Sequence, residues 1–264
     1  MSEPPQSKSQ TVLVTGGSSG IGLELARCFA MDGYNLVLAA RSAAALEKAA
    51  SELSSQYGIQ ATAIASDLGA PGGAQRLIDD ITRRNSHIDV LVNNAGYGAV
   101  GAMENCDVNA HLGMIDLNVR ALTELTRAYW PNMIKNRRGG VLNVSSMGGF
   151  APGPFMAIYG ASKAYVLSFS EALWEEARGT GLHVSCLCPG ATRSDFHQRA
   201  GTDHTPAGKV PMMSAAQVAR IGYRAFQANK RVAVPGVANK LAAAIMHFIP
   251  NGILMKTLRR VYGG

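Results

Sequence analysis

The stretch TGGSSGIG, Thr15 to Gly22, follows the apolar run TVLV at 11–14 and leads straight into a helical pattern. A glycine-rich turn between a strand and a helix lets backbone approach a pyrophosphate. The N–H groups and partial positive charge of the helix N-terminus then face the anion. The spacing is Gly16, Gly20, Gly22, a GxxxGxG rather than the GxGxxG of the usual dinucleotide fingerprint. Such a turn can also serve plain chain reversal, so its surroundings decide the reading.

Those surroundings alternate. Short apolar, β-branched runs at 11–16, 35–40, 60–67, 88–96, 140–146, 182–190 and 231–236 are separated by amphipathic segments. The latter fall at 20–32, 42–57, 72–86, 107–136, 159–179 and 214–229. Strand and helix in this alternation predict a parallel sheet wrapped on both faces. The expected fold is α/β: a single doubly wound Rossmann-type domain with a mostly parallel seven-stranded sheet. Residues 1–9 read as a flexible N-terminal arm, 10–237 as the main domain, and 238–264 as an apolar and basic helical extension. Open α/β sheets bind ligands at the carboxyl ends of their strands.

Composition removes several other classes. The chain has 264 residues, 47% of them hydrophobic, and no apolar run long enough for a membrane span. Its first ten residues lack the apolar centre of a secretory signal, which points to a cytoplasmic protein. Cys28, Cys106, Cys186 and Cys188 make no CxxC pair. They read as reduced thiols, with no metal site expected. The formal charge of +7 comes from scattered basic residues. That pattern suits a solvated surface attracting an anionic cofactor, and nucleic-acid binding is not expected.

The end of the second strand, LVLAARSAAALE, bears on which dinucleotide is bound. An NAD site usually presents an acid there for the ribose 2′-hydroxyl, whereas a 2′-phosphate calls for arginine. Here Arg41 and Ser42 stand at that point with no acid. A guanidinium binds phosphate bidentately. NADP(H) is therefore favoured over NAD(H).

Six motifs follow in order: TGGSSGIG, NNAG at 93–96, Asn118 in DLNV, SSMGG at 145–149, YGASK at 159–163 and PGATRS at 189–194. Over about residues 9 to 235 the chain resembles the short-chain dehydrogenase/reductase family. The resemblance implies a catalytic tetrad of Asn118, Ser146, Tyr159 and Lys163. Ser146 is selected over Ser145 because the family's serine lies 13 positions before its tyrosine. By the same resemblance Gly16, Ser18, Ser19, Gly20, Ile21 and Gly22 contact the cofactor. Asp67 would meet the adenine and Asn93 would lie near the adenosine ribose, with Leu68, Ala95 and Gly96 as further cofactor contacts. Pro189, Gly190, Thr192 and Ser194 would lie by the carboxamide and a nearby phosphate. Tyr159 and Lys163 count as cofactor contacts too, since Lys163 holds the nicotinamide ribose in the family.

The implied reaction is hydride transfer between nicotinamide C4 and a carbonyl carbon. A free phenol titrates near ~10, and a nearby ammonium favours the phenolate. Tyr159 and Lys163 are four apart and so share one helix face, while Tyr165 points away as packing. The small residues Gly160, Ala161 and Ser162 between them are compatible with close cofactor approach. Asn118 lies in an apolar-periodic segment where asparagine is a poor helix former. In the family this residue anchors a water in a proton relay.

The substrate should be walled by the loops after Gly96, Ser146 and Pro189. Phe150, Phe155, Met156, Phe196, Met212 and Met213 would give an apolar lining. No basic cluster in those loops suggests a small dicarboxylate. A hydrophobic ketone or alcohol is expected, such as a 3-oxoacyl chain or a steroid-like ring. A non-catalytic NADPH-binding regulator is the other reading, and the intact tetrad speaks against it. The C-terminal segment mixes apolar residues with Lys240, Lys256, Arg259 and Arg260, and Pro250 splits it. It fits peripheral contact with a membrane, a partner subunit, or a groove on its own domain. The resemblance implies a homo-oligomer, a dimer or tetramer, paired through the helices near 107–136 and 159–179.

Overall fold

The computed structural model describes residues 10–193, 200, 212–246 and 248–263. The expectations for the arm at 1–9, for Ser194 and for Phe196 lie outside the described residues. Among the latter, the strands are β1 (Thr11–Thr15), β2 (Asn35–Ala40), β3 (Ala61–Ala65), β4 (Val90–Asn93), β5 (Gly140–Val144), β6 (His183–Leu187), β7 (Thr192–Arg193), β8 (Met213–Ser214) and β9 (Val232–Ala233). The helices are α1 (Gly20–Met31), α2 (Ala43–Tyr57), α3 (Gly73–Arg83), α4 (Val108–Ile115), α5 (Leu122–Asn136), α6 (Ala157–Glu176), α7 (Ala215–Gln227), α8 (Val237–Met246) and α9 (Asn251–Gly263). None of these helices is long and apolar enough to cross a membrane.

Seven strands make one sheet in the order β3-β2-β1-β4-β5-β6-β9, and every pairing is parallel. Successive residues of a strand face opposite sides, and the core divides accordingly. Val12 and Val14 pack with Leu25 and Phe29 of α1, Leu46 of α2 and Phe226 of α7. Leu13 faces the other side, with Leu77 and Ile81 of α3, Leu125 and Met133 of α5, and Leu173 of α6. Strands apolar on both alternations thus carry a helical layer on each face. Each fully buried aliphatic side chain contributes about 1.5–3 kcal/mol of transfer free energy.

Two features lie beyond the expected alternation. β7 and β8 pair with each other in a separate two-stranded parallel ribbon. The long segment at 107–136 is one continuous rod interrupted by a π-helical turn at Asp116–Ala121. Strand order reverses between β1 and β4. That switch point brings the glycine loop after β1 beside the Asn93–Gly96 turn after β4.

Candidate active site

The glycine loop is shaped by backbone that other residues cannot adopt or fit. Gly16 and Gly20 have φ of 65° and 56°, in the left-handed region. A Cβ on Gly22 would overlap the Gly16 carbonyl and the Asn94 side-chain amide. Ser19 caps α1 without a side-chain hydrogen bond to its first turn. Those N–H groups therefore remain available to an anion. Ser18 and Ile21 are half-buried, Ile21 packing on the core, and Ser19 is exposed.

Thr15 and Asn94 tie this loop to β4. Thr15 Oγ1 accepts from the N–H groups of Asn94 and Ala95, both at 3.0 Å, and donates to the Val92 carbonyl. Asn94 Nδ2 donates to the Thr15 carbonyl at 2.9 Å and to Gly16 at 3.3 Å. Thr15 and Asn94 lie inside TGGSSGIG and NNAG, and only their contacts across 79 positions mark them as structural members of the site. Of Asn93, only the side chain is turned away from the loop. Its side chain turns into the protein and donates to Thr126 Oγ1 at 3.0 Å and Asn143 Oδ1 at 2.9 Å. Only its backbone remains for a nucleotide, because alternate strand residues face opposite sides. Leu68 is likewise buried, and Asp67 is exposed with Oδ1 accepting from the Gly69 N–H.

Arg41 stands exposed at the carboxyl end of β2, and among the described residues it has no carboxylate partner. Ser42 caps α2 by accepting from the Ala45 N–H. This cradle, uncapped helix terminus and free guanidinium fit a phosphate-bearing dinucleotide. Gly190 sits under Asn239 of α8, since a Cβ there would lie 2.5 Å from its Nδ2. The Pro189 carbonyl accepts from the Met147 N–H at 2.9 Å, and Thr192 Oγ1 donates to the Gly190 carbonyl at 3.0 Å. The turn after β6 is thereby held against the loop after β5.

At the carboxyl ends of β4 and β5 four polar groups converge. Tyr159 is one turn before Lys163 on α6, and both are buried. The Lys163 ammonium lies 5.9 Å from the Tyr159 ring centre and donates to the Val144 carbonyl at 3.0 Å. Burial holds this lysine down at about 8, with the Cys186 and Cys188 sulfurs pulling weakly upward. Those two sulfurs are 3.7 Å apart, as free thiols.

Asn118, 1% exposed, lies on the π-helical turn. Such turns insert one extra residue and recur at functional sites. Its Oδ1 accepts from the Tyr97 N–H at 3.2 Å, and its Nδ2 donates to the Tyr97 carbonyl and to Ser162 Oγ, both at 3.0 Å. Ser162 Oγ in turn donates to the Tyr159 carbonyl at 2.8 Å. Gly96 passes beneath: a Cβ there would lie 2.9 Å from Asn118 Oδ1 and 3.2 Å from Lys163 Nζ.

The two serines diverge at the end of β5. Ser145 is buried and donates to the Lys163 carbonyl at 2.7 Å. Ser146 is half-buried, and its Oγ accepts from the Gly148 N–H at 3.1 Å. A Cβ on Gly148 would lie 3.4 Å from Tyr159 Cε1 and 3.6 Å from Ser146 Oγ, so both side chains border that point. The small residues after Tyr159 serve the protein itself. Gly160 lies under the backbone of Gly148 and Gly153, and Ser162 links Tyr159 to Asn118. Tyr165 is 37% exposed, bonded to Thr123 and stacked on Phe169.

A cavity of about 450 Å³ is lined from the loops after β4 and β5, from the start of α6 and from α9. Tyr159 is outside its lining but shares a buried cluster with Met156, which is in it. Phe155 and Met156 line it as expected. Phe150 instead packs beside Val166 and Leu167, and Met213 packs on the main core. From the C-terminal segment, α9 lines this groove of its own domain through Met255, Lys256 and Arg259, and Leu254 is buried.

Known proteins share this architecture and sequence. The family model described as short chain dehydrogenase matches residues 10–205. Sulfoacetaldehyde reductase 2 of Chromohalobacter salexigens is 34% identical over 71% of this chain and 75% of its own. Among the curated relatives it matches, the match spans from 52% to 88% of their own length. A short-chain dehydrogenase from Sphingobium yanoikuyae, solved in complex with NADPH, is 32% identical with a TM-score of 0.81, covering 93% of this chain and 95% of that one. The bulky-bulky ketone specific alcohol dehydrogenase of Comamonas testosteroni is 30% identical with a TM-score of 0.75, covering 90% and 93%. With the glycine cradle after β1, the Tyr159–Lys163 pair on α6 and a family match over most of its length, the chain belongs to the short-chain dehydrogenase/reductase family of oxidoreductases.

Proposed function

We propose that the chain interconverts a carbonyl and a secondary alcohol on a hydrophobic substrate, using NADP(H). One observation carries the reading: buried Tyr159 and Lys163 lie one helical turn apart, with Asn118 beside the lysine and Ser146 beside the tyrosine. When bound, the nicotinamide supplies or accepts the hydride. The chain's own residues handle the proton and the oxygen.

The Tyr159 hydroxyl donates its proton to the oxygen that gains charge during reduction, and recovers it in the reverse direction. The Lys163 charge favours the phenolate so formed. With a value of about 8 the ammonium stays mostly protonated at neutral pH. Ser146 donates to the same substrate oxygen and fixes it where charge develops. Asn118, bonded through both polar atoms, holds Tyr97 and Ser162 in place beside the lysine.

Preference for NADP(H) rests on Arg41 at the end of β2, with no acid at that point to repel a 2′-phosphate. The NADPH-bound Sphingobium relative agrees with that choice. A bulky, apolar substrate agrees with the cavity beside Met156 and with the ketone named for the Comamonas relative.

The test is Tyr159→Phe. Turnover of ketones should fall by about 10²–10⁴-fold, while NADPH still binds with near wild-type affinity by fluorescence titration. Near-normal activity in this variant would sink the mechanism. If a broad panel of ketones and alcohols gave no turnover while NADPH bound tightly, the non-catalytic regulator would be the better reading.

A further inference from the structure

The cavity lined by Met156 has a wall that the strand-end loops alone do not supply. Its apolar side comes from Phe155, Met156 and Ile158, and its third side is α9, through Met255, Lys256 and Arg259. Met156 connects it to the chemistry, since it lines the cavity and shares one buried cluster with Tyr159 and Met114. The two flanking loops are tied together by the Gly101 N–H, which donates to the Phe155 carbonyl at 2.9 Å. Phe155 holds a left-handed φ of 63° at that junction. A non-glycine residue keeps such a conformation only where its surroundings enforce it.

The charge on the third side is not neutralised from within. Lys256 and Arg259 are exposed, and neither has an ion-pair or hydrogen-bond partner among the described residues. Glu104 also borders the cavity, but among the described residues it pairs with neither cation. His111 adds another nitrogen base to the lining. No Asp or Glu follows Asp203 in the chain, while nine Lys and Arg do, so nothing on α8 or α9 offsets the two charges. An apolar cleft ending in unpaired cations matches a ligand with an apolar body and an anionic end.

We infer that this cavity takes an anionic amphiphile, and that the substrate is an oxo or hydroxy compound with a terminal carboxylate or similar anion. Its apolar part lies along Phe155, Met156 and Met255, and its anion lies between Lys256 and Arg259. That the occupant is the substrate rests on the oxidoreductase reading above. That the site takes an anionic amphiphile does not. The absence of a basic cluster in the strand-end loops is thereby offset by the C-terminal helix, which brings the cations from elsewhere in the chain.

Two measurements test this on the full chain. In calorimetric titration, decanoate should bind the wild type about tenfold more tightly than 1-decanol, an advantage that salt weakens. The Lys256→Gln/Arg259→Gln variant should bring the two ligands within about twofold. Equal binding of both by the wild type, or a preference that survives the double substitution, overturns the site. In turnover with NADPH, 9-oxodecanoate should show a KM advantage of similar size over its methyl ester, and the double variant should lose it. A decanoate preference without turnover of any ketone upholds the site and removes the substrate assignment and the oxidoreductase reading together.

Discussion

Replacing Lys163 by methionine separates what the ammonium does for chemistry from what it does to stability. Burial holds this lysine at about 8 against an ordinary 10.5. At 1.36 kcal/mol per pH unit, the fold disfavours the charged form by about 3 kcal/mol at neutral pH. Between about pH 8 and 10.5 the folded protein holds fewer protons than the unfolded chain, so stability rises with pH across that window. The penalty is full below 8 and gone above 10.5. Methionine removes it but also removes the hydrogen bond to the Val144 carbonyl, a loss of about 1 kcal/mol.

Lys163→Met should therefore be about 2 kcal/mol more stable than the wild type at pH 7, and about 1 kcal/mol less stable near pH 10.5. Urea unfolding of nucleotide-free protein from pH 7 to 10.5, read as the difference between variant and wild type, measures this directly. Titrating groups that Lys163 does not influence drop out of the difference; Cys186 and Cys188, on which it is among the smaller influences, do not cancel fully. Turnover should disappear at every pH. A stability difference that stays flat across the range would refute the buried, strained ammonium. Retained turnover would refute its part in moving the proton.

Arg41→Ala should weaken NADPH by about 10–100-fold, the worth of a charge-assisted bidentate contact, and change NADH by less than about threefold. Equal loss for both cofactors in a binding titration would leave the 2′-phosphate assignment without support. A homo-oligomer should form through the α4–α6 face, where Val108, Leu112 and Ile115 stand 62%, 54% and 38% exposed at helical spacing. Sedimentation equilibrium should show Leu112→Glu shifted toward monomer, and a wild type that is monomeric at micromolar concentration would end that expectation.

Local signals carried much of the fold. Seven short runs apolar on both alternations could only be strands covered on both sides, and each became a strand of the seven-stranded sheet. Gly16 and Gly20 marked a turn whose backbone only glycine adopts easily. Asn93 and Asn94 show the limit of such reading. Two identical neighbours in one motif face opposite ways, one into a buried amide network and the other onto the glycine loop. Strand register with β5 decides which is which. Ser162 read as a small spacer because its bond to Asn118 spans 44 positions. Asn118 was conspicuous as a poor helix former, but the π-helical turn that presents it was not legible.

By itself the sequence determined the alternation of strands and helices, the loop built to accept a phosphate, and the one-turn spacing of Tyr159 and Lys163. These follow from periodicity, glycine's backbone freedom and the pitch of a helix, all of which act over a few residues. Only the tertiary structure decided how deeply Lys163 is buried, and therefore how reluctantly it carries its charge. It alone brought α9 across the cavity, setting Lys256 and Arg259 beside loops about a hundred or more positions earlier. Desolvation and charge proximity depend on what packs in space, and chain separation places no bound on that.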